Sequence, residues 1–245
     1  MGSRLSAIVC AYNEERTVAA ALHSLLAQTR VPDEIIVVNN ASTDATRAVA
    51  SAVTGVRVID EPRKGLVRAR AAGLQASTGD ILVYIDADSR APLRLIERME
   101  RQLLRSPRTV AITGPYRFYD WDLVGVVCAR LYDLTLARGA HVLAQDVLKV
   151  GALLYGANFA VRRQALEAIG GFDTSIQFHG EDTNLGRRLA AVGRVRLSEG
   201  CYIYTSARRY KALGRATAFK LYVRNFWSET VHHRPRDVVH DDIRL

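Results

Sequence analysis

The stretch Gly79–Asp88, G-D-I-L-V-Y-I-D-A-D, decides how the rest of the chain is read. Five consecutive apolar residues, Ile81–Ile85, follow the turn signal Gly79-Asp80 and stop abruptly at Asp86-Ala87-Asp88. A short, uninterrupted apolar run rich in β-formers predicts a strand buried on both faces, as in a parallel sheet. In an open α/β sheet, ligands bind in the crevice outside the carboxyl ends of the strands, so two acids spaced i and i+2 there point to a shared task. Alternation along an extended backbone puts both on one side, within reach of one hard cation and the diphosphate oxygens it bridges. The same residues also read as a strand followed by a helix cap, with Asp88 or Ser89 capping a helix from Pro92.

Upstream, the pattern repeats. Ser6–Ala11 is a short apolar run that ends in Tyr12-Asn13-Glu14-Glu15, and Glu14–Ala27 carries Val18, Ala21, Leu22, Leu25 and Leu26 at helical spacing, with Asn13 as the cap. Glu34–Val38 is a second strand that runs into Asn39-Asn40-Ala41-Ser42-Thr43-Asp44, followed by a helix over Ala45–Val53. Val56–Ile59 is a third strand; Arg63-Lys64-Gly65 opens a loop, and Leu66–Gln75 is a helix carrying Arg68 and Arg70. Strands alternating with helices over the first ninety residues predict a Rossmann-like, doubly wound nucleotide-binding half with a parallel sheet and right-handed crossovers. Neither G-x-G-x-x-G nor G-x-x-x-x-G-K-[ST] is present, which disfavours a dinucleotide dehydrogenase and a P-loop nucleotidase. Polar side chains at the strand ends would have to hold a nucleotide instead.

Downstream the pattern loosens. Pro92–Leu104 reads as helix and Thr109–Gly114 as strand; Tyr116–Val150 is aromatic and then helical, with a turn signal at Gly139. Gly151–Val161 reads as one or two returning strands before the helix Arg162–Ile169. Phe178–Asp182 leads into the amphipathic helix Thr183–Ala191, and Val195–Leu197 and Cys201–Tyr204 are short strands. After the basic cluster Ala207-Arg208-Arg209-Tyr210-Lys211 come a helix near Thr217–Ser228 and a polar tail with His232, His233 and His240.

The 245 residues carry 34 Lys and Arg against 25 Asp and Glu, a net charge of +9 that favours anionic partners such as phosphates or a membrane surface. The basic residues are dispersed and lack aromatic interleaving, so no nucleic-acid partner is expected. Cys10, Cys128 and Cys201 have no metal-ligand spacing, and Cys10 in an apolar strand reads as a small buried residue of a reducing compartment. No signal peptide is visible at Met1–Ser6 and no apolar run approaches the ~20 residues of a membrane span. The expectation is a cytoplasmic protein, with peripheral contact at the inner membrane face left open.

Seven blocks between Ile8 and about Arg209 together resemble the inverting glycosyltransferases of family 2. They are I-V-C-A-Y-N-E-E, I-I-V-V-N-N-A-S-T-D-A-T, R-K-G-L-V-R-A-R-A-A-G, G-D-I-L-V-Y-I-D-A-D, G-A-N-F-A-V-R-R, I-G-G-F-D and G-E-D-T-N-L-G-R-R-L. The resemblance implies one GT-A domain over residues 1–245, α/β with a mixed, mainly parallel central sheet flanked by helices. Residues 1–90 would form the nucleotide-binding half, 91–210 the acceptor-binding half and 211–245 a C-terminal helix and tail.

It also implies roles. Asp88 resembles the ligand of Mg²⁺ or Mn²⁺, with Asp86 on the ribose or on a metal-bound water. Asp182 in G-E-D resembles the general base and Glu181 its neighbour near the acceptor; an ordinary Asp is a weak base near pH 7, so its site should raise its pKa or let the proton move late. Both acids also suit the positive end of the helix from Thr183.

Ala11, Tyr12 and Glu14 match positions lining the base and ribose. Asn39 stands where many uridine-diphosphate enzymes carry an Asp, and its amide both accepts and donates; Asn39 and Asn40 equally suit a turn. Arg63, Lys64 and Arg68 flank the diphosphate or are solvated charges, and Asn158 faces the sugar or acceptor. Arg208 and Arg209 close over the diphosphate or meet anionic lipid together with the helix Ala212–Trp227.

The expected partners are a nucleoside diphosphate sugar and a glycan, lipid-linked or small-molecule acceptor. The absent Q-x-x-R-W block implies one sugar per encounter. A sugar-phosphate nucleotidyltransferase is the first alternative, but Ala11–Glu15 lacks its glycine-rich loop. A non-catalytic nucleotide-sugar-binding protein is the second.

Overall fold

The computed structural model describes residues 3–176, 180–214 and 217. Four parallel strands, β1 (Leu5–Ala11), β2 (Glu34–Asn40), β3 (Arg57–Glu61) and β4 (Ile81–Asp86), are joined by the crossover helices α1 (Val18–Leu26), α2 (Thr46–Ser51) and α3 (Leu66–Ala76). Helix α4 (Leu95–Leu104) leads to β5 (Thr109–Thr113) and the short β6 (Tyr116–Phe118). A long helical segment follows: α5 (Leu123–Tyr132), a π-helical turn (Asp133–Ala137), α6 (Arg138–Val142) and a second π-helical turn (Leu143–Val147). Then come β7 (Asn158–Arg162), α7 (Arg163–Ala168), α8 (Glu181–Val192), β8 (Arg194–Leu197), β9 (Ile203–Thr205) and α9 (Arg208–Leu213).

The main sheet has seven strands in the order β3-β2-β1-β4-β7-β5-β8. Only β7 is reversed, pairing antiparallel with β4 and β5, so the sheet is mixed and mainly parallel. A two-stranded parallel sheet of β6 and β9 lies apart from it.

The uninterrupted apolar runs have a simple cause. Along β4, Ile81, Val83 and Ile85 enter one apolar layer with Leu22, Leu25, Leu95 and Met99, while Leu82 and Tyr84 enter the opposite layer with Leu185 and Leu189. Both faces of the strand are covered by helices, so alternation places an apolar residue at every position. Tyr84 stacks on Phe159 of β7 at 4.9 Å and meets Phe172 edge-on at 5.2 Å, which fixes the reversed strand beside the strand that carries the acids.

Several local expectations are corrected. Asn13 does not cap α1, which starts at Val18; it takes a left-handed conformation (φ 50°), and its side-chain oxygen accepts from the Thr43 N–H at 2.8 Å. The loops leaving β1 and β2 are thereby stitched together, and the Glu14 N–H reinforces this by donating to Thr46 Oγ1 at 2.7 Å. Helix α4 starts at Leu95 without a side-chain cap, and Ser89 Oγ donates to Thr205 Oγ1 at 3.1 Å, so neither Asp88 nor Ser89 caps it. Gly139 lies inside α6 rather than at a turn.

Candidate active site

The carboxyl ends of β1, β2 and β3 form one wall. Ala11, buried at the end of β1, pairs with Asn39, and Asn39 pairs with Asp60. Asn39 Nδ2 donates to Asp60 Oδ1 at 2.8 Å; its own side-chain oxygen is buried and, among the described residues, has no hydrogen-bond partner. A carboxylate only accepts, so Asp60 fixes the amide with its nitrogen toward Asp60 and leaves its oxygen as the unpartnered acceptor. Asn40 builds the next loop, donating to the carbonyls of Glu61 (3.0 Å) and Arg63 (2.8 Å) and accepting the Gly65 N–H at 2.8 Å. Lys64 Nζ lies 2.9 Å from the Tyr12 hydroxyl and 4.0 Å above its ring centroid. Arg63 pairs with Glu61 at 3.2 Å, and the half-buried Arg68 sits on the first turn of α3 near the same carboxylate. Of the three expected diphosphate cations, these contacts put Lys64 beside Tyr12 and leave the two arginines at Glu61.

At the end of β4 the strand stops at Asp86, and the Ser89 N–H donates to the Asp86 carbonyl at 3.0 Å. Asp88 therefore lies in a turn, and its closeness to Asp86 comes from that turn rather than from the strand's pleat. Thr205 Oγ1 donates to Asp88 Oδ1 at 3.3 Å, and the Arg208 guanidinium faces Asp88 Oδ2 at 3.0 Å. The same guanidinium makes a two-pronged contact with Glu14, through Nη2 to Oε1 and through Nη1 to Oε2, the latter at 3.0 Å. Burial raises the pKa of Asp88, Arg208 opposes the rise, and the nearby charges of Asp86 and Glu14 add to it. Carboxylate and hydroxyl oxygens gathered around a single cation are the donor set a hard divalent ion takes. Among the described residues no three His, Cys, Asp or Glu side chains form a complete cage. The carboxylates here that would hold a Mg²⁺ or Mn²⁺ ion are Asp88 and its neighbour Asp86.

The second acid cluster is built on α8. Gly180 takes φ 82°, a conformation that favours glycine, and turns the chain so that Glu181 and Asp182 open the helix. Asp182 Oδ1 accepts the Thr183 N–H at 2.8 Å. Behind the two acids is Arg70, whose side chain is 2% exposed: Nη1 lies 3.0 Å from Glu181 Oε1, and Nη2 donates to the Gly156 carbonyl at 2.7 Å. A Cβ on Gly156 would come within 3.0 Å of the Arg70 guanidinium and 3.1 Å of Glu181, so a larger residue here would press on the pair. Burial, and then the adjacent Glu181, push Asp182 up to about 7, against the Thr183 hydrogen bond and Arg70. Arg70 interacts electrostatically with Asp86 as well as with Glu181 and Asp182, so the acids of β4 and α8 share one buried cation.

Residues 6–170 match the family model described as Glycosyl transferase family 2. The chain belongs to glycosyltransferase family 2. This family-2 chain is 26% identical over 192 residues to a glucosyl-dolichyl phosphate glucuronosyltransferase of Haloferax volcanii, covering 70% of the present chain and 56% of that protein. Among solved structures, the mannosyltransferase PcManGT of Pyrobaculum calidifontis, in complex with GDP-Man and Mn²⁺, superposes with a TM-score of 0.69 at 21% identity, over 99% of this chain and 67% of that one. Glucosyl-3-phosphoglycerate synthase of Mycobacterium tuberculosis, in complex with Mn²⁺, UDP-Glc and phosphoglyceric acid, gives a TM-score of 0.62 at 23% identity, over 94% and 80%. Those likenesses establish the GT-A fold. The chain spans 17% to 62% of the length of eight curated relatives that it matches.

Asn158 departs from expectation. It is fully buried, and its amide donates to the carbonyls of Gly114 (3.0 Å) and Cys201 (2.7 Å), holding β7 to the strand and turn beside it rather than facing a ligand. The sequence assigns Arg70 no role on its predicted helix and leaves Arg208 and Arg209 two, over the diphosphate or at anionic lipid; the structure pairs Arg70 with Glu181 and Arg208 with Glu14 and Asp88. A buried network was also missed: the Tyr155 hydroxyl donates to Asp133 at 2.6 Å, and Arg117 lies between Asp133 (4.0 Å) and Glu199 (3.6 Å). A lone Asp inside an apolar helical run was its only sequence signal. Among the described residues no helix is long and apolar enough to cross a membrane. His179, His232, His233, His240 and most of the expected helix Ala212–Trp227 lie outside the described residues.

Proposed function

We propose that the chain, as a single GT-A domain, transfers a sugar from a nucleoside diphosphate to an acceptor hydroxyl with inversion at the anomeric carbon, one sugar per encounter. The observation that carries this reading is that Asp86, at the end of β4 beside Asp88, and the pair Glu181/Asp182, at the start of α8, share the buried Arg70 as a charge partner. Asp182 takes the proton of the acceptor O–H. The acceptor oxygen forms its bond to the anomeric carbon as the bond from that carbon to the diphosphate oxygen breaks, and the diphosphate leaves with the electron pair. No covalent intermediate on the chain is needed. A pKa near 7 suits this role, since a base matched to the working pH combines ionised population with driving force.

Asp88 and Asp86 are the residues that would hold Mg²⁺ or Mn²⁺. A divalent ion bound there supplies Lewis-acid stabilisation of the leaving group. Ala11, Tyr12, Glu14 and Lys64 line the nucleoside and the start of the diphosphate, with Arg68 at the edge. The Asn39 oxygen, oriented by Asp60, accepts from a base that carries a ring N–H, as uracil and guanine do. The PcManGT and glucosyl-3-phosphoglycerate synthase complexes hold GDP-Man and UDP-Glc, which have those bases. The acceptor is a glycan, a lipid-linked sugar or a small molecule, met in the cytoplasm or at the inner membrane face.

The test is a sugar-nucleotide turnover assay with Mn²⁺ on the wild type and on Asp182→Asn, run beside donor binding. The reading expects binding without turnover in the variant; equal turnover removes Asp182 from the base role.

A further inference from the structure

The cation that faces the metal-side carboxylates comes from the far end of the described chain. Arg208 opens α9, 194 residues from Glu14, and its guanidinium bridges Glu14 and Asp88 Oδ2. The two carboxylates are 5% and 11% exposed and the arginine side chain is 33% exposed, so the buried acids are met by a group that reaches them from outside. Its backbone is held independently of this contact. Ser206 Oγ and the Ala207 N–H both donate to Asp120 at 2.6 Å, Lys211 pairs with Asp120 at 3.4 Å, and Tyr210 packs on Trp121 and Phe118 at 4.9 and 5.1 Å. The guanidinium can change partners by side-chain rotation while α9 stays in place.

Two cations cannot use the same lone pair of Asp88. With the site read as above, on which this inference rests, the ion of a metal–diphosphate claims that carboxylate, and the diphosphate keeps phosphate oxygens that a single ion does not use. A guanidinium displaced from Asp88 then has phosphate oxygens next to it, for which its planar fork is suited.

We propose that Arg208 is a donor-positioning residue that exchanges partners: it is paired with Glu14 and Asp88 before the donor arrives and with the donor's diphosphate afterwards. Metal alone must displace Arg208 without offering it a new partner, so it binds weakly. Metal and nucleotide together supply that partner, and the two bind with positive coupling of the size found between linked sites, about 5- to 150-fold.

The experiment measures the affinity of Mn²⁺ alone, by calorimetry and by the paramagnetic signal of the free ion, and the affinity of UDP and GDP with and without Mn²⁺. It is run on the full chain of the wild type, Arg208→Gln and Arg208→Lys, and thermal melts in EDTA and in Mn²⁺ report folding. The proposal expects Arg208→Gln to bind Mn²⁺ alone at least fivefold more tightly and Mn²⁺–nucleotide about tenfold more weakly, with a melting temperature that is lowered in EDTA and recovers with Mn²⁺. Arg208→Lys, with one charge and no fork, falls between. If both variants bind Mn²⁺ alone as the wild type does, or if the coupling is unchanged, the exchange is wrong while Mn²⁺-dependent nucleotide binding by the wild type leaves the donor site standing. If the wild type binds no nucleotide with Mn²⁺, the donor-site reading fails and this inference with it.

Discussion

Arg70 and Glu181 meet at 3.0 Å across 111 residues of sequence, and the arginine side chain is all but closed off from water. A buried cation of this kind does more than hold a helix: its charge also acts on Asp182 and on Asp86. Removing one partner of a buried pair strands the other charge, at a typical cost of about 3–5 kcal/mol. Arg70→Met should show a loss of that size in denaturant unfolding. The double variant Arg70→Met/Glu181→Gln should cost less than the sum of the singles, because the stranded carboxylate is gone; strict additivity would show that the two side chains are not energetically linked.

In the proposed mechanism Asp182 acts as a carboxylate, and burial and Glu181 raise its pKa above the ordinary range. Below that pKa its ionised fraction falls tenfold per pH unit. Turnover should therefore climb from pH 5 to about 7 and level off above. Asp182→Asn should lower turnover by about 10²- to 10⁴-fold and remove this limb of the profile, with donor affinity retained.

Asn39 and Asp60 predict a base preference. Nucleoside diphosphates with a ring N–H, UDP and GDP, should bind in preference to CDP and ADP, whose bases present an acceptor at the same edge. Asp60→Ala frees the Asn39 amide to turn and should shrink the preference several-fold in a calorimetric panel. An unchanged preference would place base selection elsewhere.

Glu34 governs acid stability at the opposite end of the sheet. Burial alone would raise its pKa, but hydrogen bonds from Ser6 Oγ, the Thr78 N–H and hydroxyl, and Arg57 outweigh it and bring the group from 4.5 to about 2. A folded-state pKa below the unfolded value gives stability that is present above about 4.5 and lost as pH falls through about 2. The shift corresponds to on the order of 3 kcal/mol, an upper bound for a group that is partly open to solvent. Glu34→Gln should be less stable than the wild type by up to that amount at pH 7, and the gap should close as melts are taken towards pH 2.

The sequence was most legible where both faces of a strand are covered. β1, β2 and β4 announce themselves because burial demands an apolar residue at every position, and their polar exits mark the crevice. Arg70 was not distinguishable from Arg68, since two residues on one helix differ only in which neighbour they meet, and α3 buries Val67, Ala69, Arg70 and Gly73 together. The pairing of Arg208 with Glu14 was beyond reach for another reason: the two lie 194 residues apart, and no local pattern encodes that distance. Asn158 was misread because an amide that ties two backbones together and one that faces a ligand look alike in sequence. The turn at Asp88 was missed because a strand's alternation was extended past the residue where the strand ends.

The most direct test of the account is calorimetric binding of UDP and GDP, with and without Mn²⁺, to the wild type and to Asp88→Ala. The account predicts Mn²⁺-dependent binding of at least one of the two to the wild type and its loss, by tenfold or more, in the variant. No binding of either nucleotide, or binding indifferent to both Mn²⁺ and Asp88, would contradict it.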